Sequence, residues 1–301
     1  MTSSNRESIL KRMVAASHAL SPAPPRSERL RARDGIALMT EHFGDPAAPA
    51  VVFAHGFGQT RHAWSTTAAL LAEQGFHSVT ADARGHGESG WRDDGEYDFA
   101  QFVDDLVLVS RSVERKPILI GASMGGLLGL IAQAEFEAFR ALVLVDVTPR
   151  WETAGVERIM GFMRAHPDGF ASIDEAAEAV AAYLPHRAEK KSPDRLRQLL
   201  VRGDNGRLRW HWDARLLDRV AADSERHQSA LLDAAGRIDV PTLLISGERS
   251  DIVSEATIAE FLQLVPHAEH VRVPRATHMV AGDANDAFSK SVLSFVEQFR
   301  V

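Results

Sequence analysis

From about residue 29 onward, short apolar runs alternate with longer stretches of helical spacing. Residues 50–54, 77–81, 117–121, 141–147, 241–246 and 270–274 read as strands, each bounded by turn-forming residues. Residues 62–74, 97–113, 124–136 and 283–299 read as helices. In the second of these, Phe99, Phe102, Val103, Leu106 and Val109 fall on one side. Strands that are apolar throughout, separated by helices, predict a mostly parallel, doubly wound α/β sheet covered on both faces. Its connections should be right-handed crossovers.

Two regions break the rhythm. Residues 1–28 form an N-terminal arm, with Ile9, Leu10, Met13 and Val14 at helical spacing and Ser21-Pro-Ala-Pro-Pro25 as the stop. It reads as a packing or dimer-contact helix, with a homodimer as the implied partner. Residues 148–237 hold no convincing strand and are rich in aromatics, Trp151, Phe162, Phe170, Tyr183, Trp210 and Trp212 among them. This segment reads as a helical lid inserted between late strands, flanked by a core of residues 29–147 and 238–301. Trp151, Phe162, Met163, Tyr183 and Trp212 are candidates for an apolar substrate pocket, and they could equally fill a small core of the lid itself. Arg150 and Arg209 could meet an acidic substrate or simply be solvated.

Composition narrows the chemistry. The 301 residues contain no cysteine, so disulfides, thiolate metal sites and a cysteine nucleophile are excluded. A formal net charge of −7, spread along the chain, makes no basic face for nucleic acid or anionic lipid. Residues 1–20 carry Arg6, Glu7, Lys11 and Arg12 and no long apolar run, so no secretory signal is read and the cytoplasm is the default location. Residues 117–134 are uncharged, but Gly121, Gly125, Gly126 and Gly129 make a buried strand entering a buried helix a better account than a membrane span.

The strongest chemical signal is Gly121-Ala-Ser123-Met-Gly125, a G-x-S-x-G pattern between an apolar strand and an apolar helix. A sharp strand-to-helix turn there lifts the serine hydroxyl over the sheet edge and aims helix N-terminal amides at it. A free serine needs a base. Among thirteen histidines, His278 follows the last strand and so lies at the same, C-terminal edge of the sheet. Asp251, after the strand at 241–246, is the preferred carboxylate for it. Asp146, at the end of the strand at 141–147, is its rival, and Asp251 could be a turn or cap residue instead. Gly85-His-Gly87-Glu-Ser-Gly90 also matches G-x-G-x-x-G, but a loop rather than a helix follows it, so no dinucleotide site is read. His86 there reads as a loop histidine, and His211 as a lid residue. No metal-binding histidine spacing occurs, and no cofactor is expected.

With these motifs in place, the chain resembles the α/β-hydrolase superfamily from about residue 30 to its end. Phe53-Ala-His55-Gly56-Phe57-Gly58 is similar to the family's oxyanion loop, and Asp82-Ala-Arg-Gly85-His86-Gly87-Glu-Ser89 to its D-x-R-G-x-G-x-S turn. The resemblance implies backbone N–H groups of Phe57 and Met124 as oxyanion donors. It also implies a Ser123–His278–Asp251 triad acting on a small-molecule carboxylic ester, as in serine carboxylesterases. Carbon–carbon or amide hydrolysis would use the same residues. Serine at 123 argues against the epoxide hydrolases and haloalkane dehalogenases, which carry aspartate there. A small-ligand receptor on the same fold is the non-enzyme alternative.

Overall fold

The computed structural model describes residues 24–184, 196–217, 224–283 and 285–300. Ten strands are formed among them: β1 (Arg26–Arg31), β2 (Ala37–Phe43), β3 (Ala50–Ala54), β4 (His77–Ala81), β5 (Ile118–Ala122), β6 (Ala141–Val145), β7 (Leu200–Arg202), β8 (Leu208–Trp210), β9 (Thr242–Gly247) and β10 (Glu269–Val273). The helices are α1 (Ser65–Glu73), α2 (Phe99–Ser110), α3 (Met124–Phe136), α4 (Thr153–Arg164), α5 (Ile173–Tyr183), α6 (Ser224–Ala235), α7 (Glu255–Leu264), α8 (Val280–Asp283) and α9 (Asn285–Val296).

Eight strands make one sheet in the order β1-β2-β4-β3-β5-β6-β9-β10. The β1–β2 and β2–β4 pairs are antiparallel, and every pair from β4 to β10 is parallel. Alternate residues of each strand point to opposite faces. Val52, Leu119, Leu142 and Leu244 therefore pack with α2, α3, α6 and α7 on one side, through Leu106, Leu128, Leu231 and Phe261. Val51, Phe53, Ile120, Val143 and Ile245 pack with α1 and α9 on the other, through Leu71, Phe288 and Val292. Both faces are dry, which is why the central strands read as unbroken apolar runs. Helix starts follow local chemistry. Asp98 and Gln101 form a reciprocal cap on α2, and Ser254 and Thr257 do the same on α7.

Three features depart from the sequence reading. The antiparallel strand β1 begins at Arg26, inside the N-terminal arm of residues 1–28, because residues 26–31 pair with β2 at the sheet edge; with Leu30 as their single apolar residue they carry no strand pattern in sequence. The insertion between β6 and β9 is not purely helical, since Leu200 pairs with Trp210 in a short β7–β8 hairpin. Its strands are three residues each, too short to show a period in sequence. The C-terminal helix is divided into α8, α9 and a terminal 3₁₀ turn, Glu297–Phe299. The proposed arm helix, at residues 4–20, lies outside the described residues, as do parts of the insertion. Residues 117–134 form strand β5 and most of α3, and among the described residues no helix is long and apolar enough to cross a membrane.

Candidate active site

Ser123 sits between β5 and α3 with φ 47° and ψ −119°, a backbone position an L residue seldom adopts. Such a residue costs about 1–3 kcal/mol and persists only where its surroundings impose it. Here they do. The Ser123 amide donates to the Val145 carbonyl of the neighbouring strand at 3.2 Å, and the Gly126 amide returns to the Ser123 carbonyl at 2.9 Å. A side chain on Gly125 would overlap the Ala54 carbonyl at the end of β3, so the turn closes only with glycine there. The loop after β3 lies against this turn, because a Cβ built on Gly56 would come 3.2 Å from the Ser123 Cβ.

Residues 56–59 form a tight turn, with the Gln59 amide bonded to the Gly56 carbonyl at 3.1 Å and Gly58 at φ 74°. Phe57 and Met124 are both half-buried beside Ser123, and among the described residues neither backbone amide donates to a protein group. At Met124 this is expected of the first turn of a helix. The Gln59 side chain bridges the turn to the next loop, accepting from the Gly56 amide at 3.4 Å and donating to Met279 Sδ at 3.3 Å.

His278 lies in the loop between β10 and α8. Its Nδ1 is 2.7 Å from Asp146 Oδ2. Asp146 follows β6 directly, is wholly buried, and holds φ 50°. Its carboxylate also accepts from the Gly247 amide at 2.7 Å and the Ser250 hydroxyl at 2.6 Å. Three donors thus satisfy a carboxylate with no access to water. Since a carboxylate accepts, Nδ1 carries the proton of that bond and Nε2 is left with its lone pair.

Asp251, the carboxylate preferred from sequence, does not meet His278. After β9 the chain turns back at Gly247–Ser250, and the Ser250 hydroxyl is what reaches Asp146. Asp251 is carried one residue further, where its Oδ2 pairs with Arg158 of α4 at 2.5 Å and its side chain is 31% exposed. The carboxylate that meets His278 is the rival one, Asp146. β6 lies between the serine strand β5 and β9 in the sheet, so the residue that ends it arrives beside both loops.

The aromatic residues of the insertion mostly pack on one another. Phe162 stacks on Tyr183 at 4.2 Å, and Trp210 on Trp212 at 5.0 Å between ring centroids. Burial first, then the Asp251 carboxylate, pushes the Tyr183 phenol up to about 12. Trp151 is half-buried against the main core. Met163 and Trp212 reach the site more directly, since a Cβ on Gly58 would come 2.6 Å from Met163 Cε and 3.4 Å from the Trp212 ring. Arg150 pairs with Glu260 at 2.8 Å, and Arg209 lies over the Trp91 ring at 5.0 Å. Among the described residues, no group of three or more His, Asp or Glu side chains is placed to hold a metal ion.

The motif at residues 82–90 is a loop-building knot. Asp82 accepts from the Arg61 amide at 2.7 Å, the Arg61 guanidinium at 2.5 Å and the Glu88 amide at 3.0 Å. Ser89 donates to the Asp82 carbonyl at 2.7 Å and accepts from the Met39 amide at 2.8 Å. Arg84 holds Asp105 through two bonds of 2.6 and 2.7 Å. No helix starts until Phe99, so the glycines serve the loop. Sequence reasoning missed the joint role of His55, His86 and His211, all buried beside the 56–59 turn. Their only sequence signal is that His55 and His86 each precede a glycine in a loop at the sheet edge.

Comparison with known proteins agrees with this architecture. Residues 49–284 match the model of the alpha/beta hydrolase fold family. The chain is similar to the 3-hydroxybutyrate-oligomer hydrolase of Cupriavidus necator, with 30% identity over 265 residues, covering 81% of this chain and 88% of that protein. It is similar to an esterase of Mycobacterium tuberculosis, with 30% identity over 249 residues and 79% of each chain covered. The crystal structure of E-2-(acetamidomethylene)succinate hydrolase superposes with a TM-score of 0.78 at 24% identity, covering 91% of this chain and all (100%) of that one, a likeness of fold. A Ser-turn-helix, a bonded pair of buried Asp146 and half-buried His278 at the same sheet edge and these relatives agree on one conclusion: the chain belongs to the α/β-hydrolase fold family and is a hydrolase.

Proposed function

We propose that the protein cleaves small-molecule carboxylic esters through an acyl-enzyme intermediate on Ser123, with His278 as general base and Asp146 as the carboxylate that orients it. The observation that carries this reading is the 2.7 Å bond between His278 Nδ1 and Asp146, at the sheet edge where the strained Ser123 turn stands. It fixes the tautomer that leaves Nε2 free to take the serine proton. As the Ser123 Oγ attacks the ester carbonyl, the proton passes to Nε2 and the carbonyl oxygen gains charge. The Phe57 and Met124 amides are the donors for that oxygen. His278 then protonates the departing alkoxide as the tetrahedral species collapses to the acyl-enzyme. Water repeats the sequence with His278 again as base, releasing the acid and restoring Ser123.

The insertion serves as a lid over this site. Met163 and Trp212 line it on the side of the 56–59 turn beside Phe57, while Phe162 and Tyr183 stack on each other and Trp151 packs on the main core. Arg150 and Arg158 are already occupied by Glu260 and Asp251, and Arg209 lies on Trp91. An uncharged, apolar acyl group therefore suits the site better than an acidic one.

Fluorophosphonate labelling read by peptide mass, run beside a panel of esters, lactones and amides, tests the reading. Labelling of Ser123 with ester turnover is expected, and Ser123→Ala should abolish both. Labelling without turnover of any ester would overturn the ester assignment and direct the search to carbon–carbon substrates. Persistent labelling of Ser123→Ala would overturn the nucleophile.

A further inference from the structure

Three successive peptides of the 56–59 turn are each held by a different buried histidine. The Ala83 amide donates to His55 Nε2 at 2.9 Å, which forces the proton onto Nδ1, and Nδ1 donates to the Gly56 carbonyl at 2.8 Å. That carbonyl shares its peptide plane with the Phe57 N–H, so fixing one fixes the direction of the other. The Gly58 amide donates to His86 Nε2 at 3.2 Å, leaving His86 Nδ1 to donate to the Arg84 carbonyl at 3.0 Å. The Gly87 amide donates to His211 Nδ1 at 2.9 Å, so His211 Nε2 carries the proton and donates to the Gly58 carbonyl at 3.3 Å. Backbone donors thus dictate all three tautomers, and each ring is neutral with one bond given and one received. Burial, reinforced for His86 by His55 and His211, and for His211 by His55, keeps these rings uncharged. His86 lies well below the usual imidazole range, and His211 is brought down to about 4.

His55 and His86 belong to the core loops, but His211 comes from the insertion. It sits on a segment pinned on both sides. The His211 amide donates to the Leu199 carbonyl at 3.1 Å and the Asp213 amide to the Gly85 carbonyl at 2.9 Å. The Asp213 carboxylate accepts from the Tyr97 hydroxyl at 2.7 Å and from Arg215 at 2.7 Å. The ring of His211 lies 6.1 Å from that of His86, which lies 5.2 Å from both His55 and Phe57.

We infer that His211 is a positioning residue for oxyanion stabilisation: from the insertion it completes a three-histidine frame that aims the Phe57 amide at the reacting carbonyl. The inference rests on the proposed serine-esterase reading, in which that amide is a donor. Its role is geometric, since His211 touches the turn and not the substrate. A donor set askew weakens binding of the charged transition state more than binding of the neutral ester.

The experiment begins with the wild-type protein and Ser123→Ala, which establish turnover and labelling. Failure at that stage belongs to the functional reading and not to His211. His211→Ala, His211→Asn and His211→Gln are then compared for kcat, KM and inhibition by a trifluoromethyl ketone, with thermal midpoints measured alongside. For His211→Ala, kcat should fall about tenfold to a hundredfold with KM within about threefold, and ketone affinity should fall by the same factor as kcat/KM. His211→Gln should recover more than His211→Asn, because only the longer amide reaches the Gly58 carbonyl as the Nε2–H does. An unchanged kcat in the folded variants, a change confined to KM, or no advantage of Gln over Asn would each overturn the inference. If His211→Ala does not fold, the Gln-to-Asn comparison decides it alone.

Discussion

Asp146 and Asp251 carry the same chemical group, and only their surroundings separate them. Asp146 is buried with three donors, whereas Asp251 is half-solvated against Arg158. Asp146→Asn should therefore lower kcat by about 10³–10⁴-fold, since an amide at this position can favour the wrong imidazole tautomer. Asp251→Asn should change kcat less than about threefold, the worth of an exposed ion pair. Steady-state kinetics on the two variants, each checked for folding, decides between them, and the reverse ranking would remove Asp146 from the mechanism. The serine and the histidine were legible because a motif and a position in the strand order mark them. The carboxylate was not fully legible, because Asp146 directly after β6 and Asp251 in the loop after β9 both belong to the same edge. Sequence shows that both arrive there, but not that a turn at Gly247–Ser250 hands the contact to Ser250 and carries Asp251 past it. His211 was read as a residue of the insertion, but its contacts were not legible, as its partners are backbone atoms of distant loops.

At the scale of elements, the central strands and α3 were legible to within a residue or two at most ends, because burial on both faces writes an uninterrupted apolar run. Strand β2 was not, since Thr40, Glu41 and His42 interrupt its apolar run. His42 of β2 and His77 of β4 are buried with their rings 5.3 Å apart, and His42 Nδ1 lies 3.2 Å from His77 Nε2. Burial, then His77, lowers His42 to about 4, and burial, then Arg26, lowers His77. A histidine whose folded value lies below its ordinary one stabilises the fold fully above about pH 6.5 and loses that contribution as pH falls toward the folded value. Between those limits the unfolded chain binds protons that the folded chain refuses. Stability should accordingly decline on acidification below about pH 6.5, as the unfolded chain takes up protons that His42 and His77 refuse in the folded one. Urea midpoints across this range test it. The double replacement His42→Asn with His77→Gln should make the acid slope shallower, the remainder belonging to the buried His55, His86 and His211, and an unchanged slope would remove the His42–His77 pair as a source of acid sensitivity.

The whole molecule is one eight-stranded sheet whose active edge is assembled from the ends of β3, β5, β6 and the loop after β10. Its β6-to-β9 connection reaches the 56–59 turn through His211, which bonds to the Gly58 carbonyl, and in the proposed function it is the lid. A sheet of this kind still has two outer strands, and their composition has a consequence for how the protein behaves in a crowd. β1 reads Arg-Ser-Glu-Arg-Leu-Arg and is largely exposed, while β10 exposes Glu269 and Arg272. Charged outer strands resist recruitment of another chain's backbone, which is how many sheet proteins stay dispersed. Replacing Arg26, Arg29 and Arg31 with valine would leave the catalytic edge untouched and supply an apolar template at the other margin. Light scattering of that variant should rise with concentration while its specific activity per dispersed molecule stays constant. The three arginines of β1 would then count as solubility determinants, kept for the company the protein keeps and not for the reaction it performs.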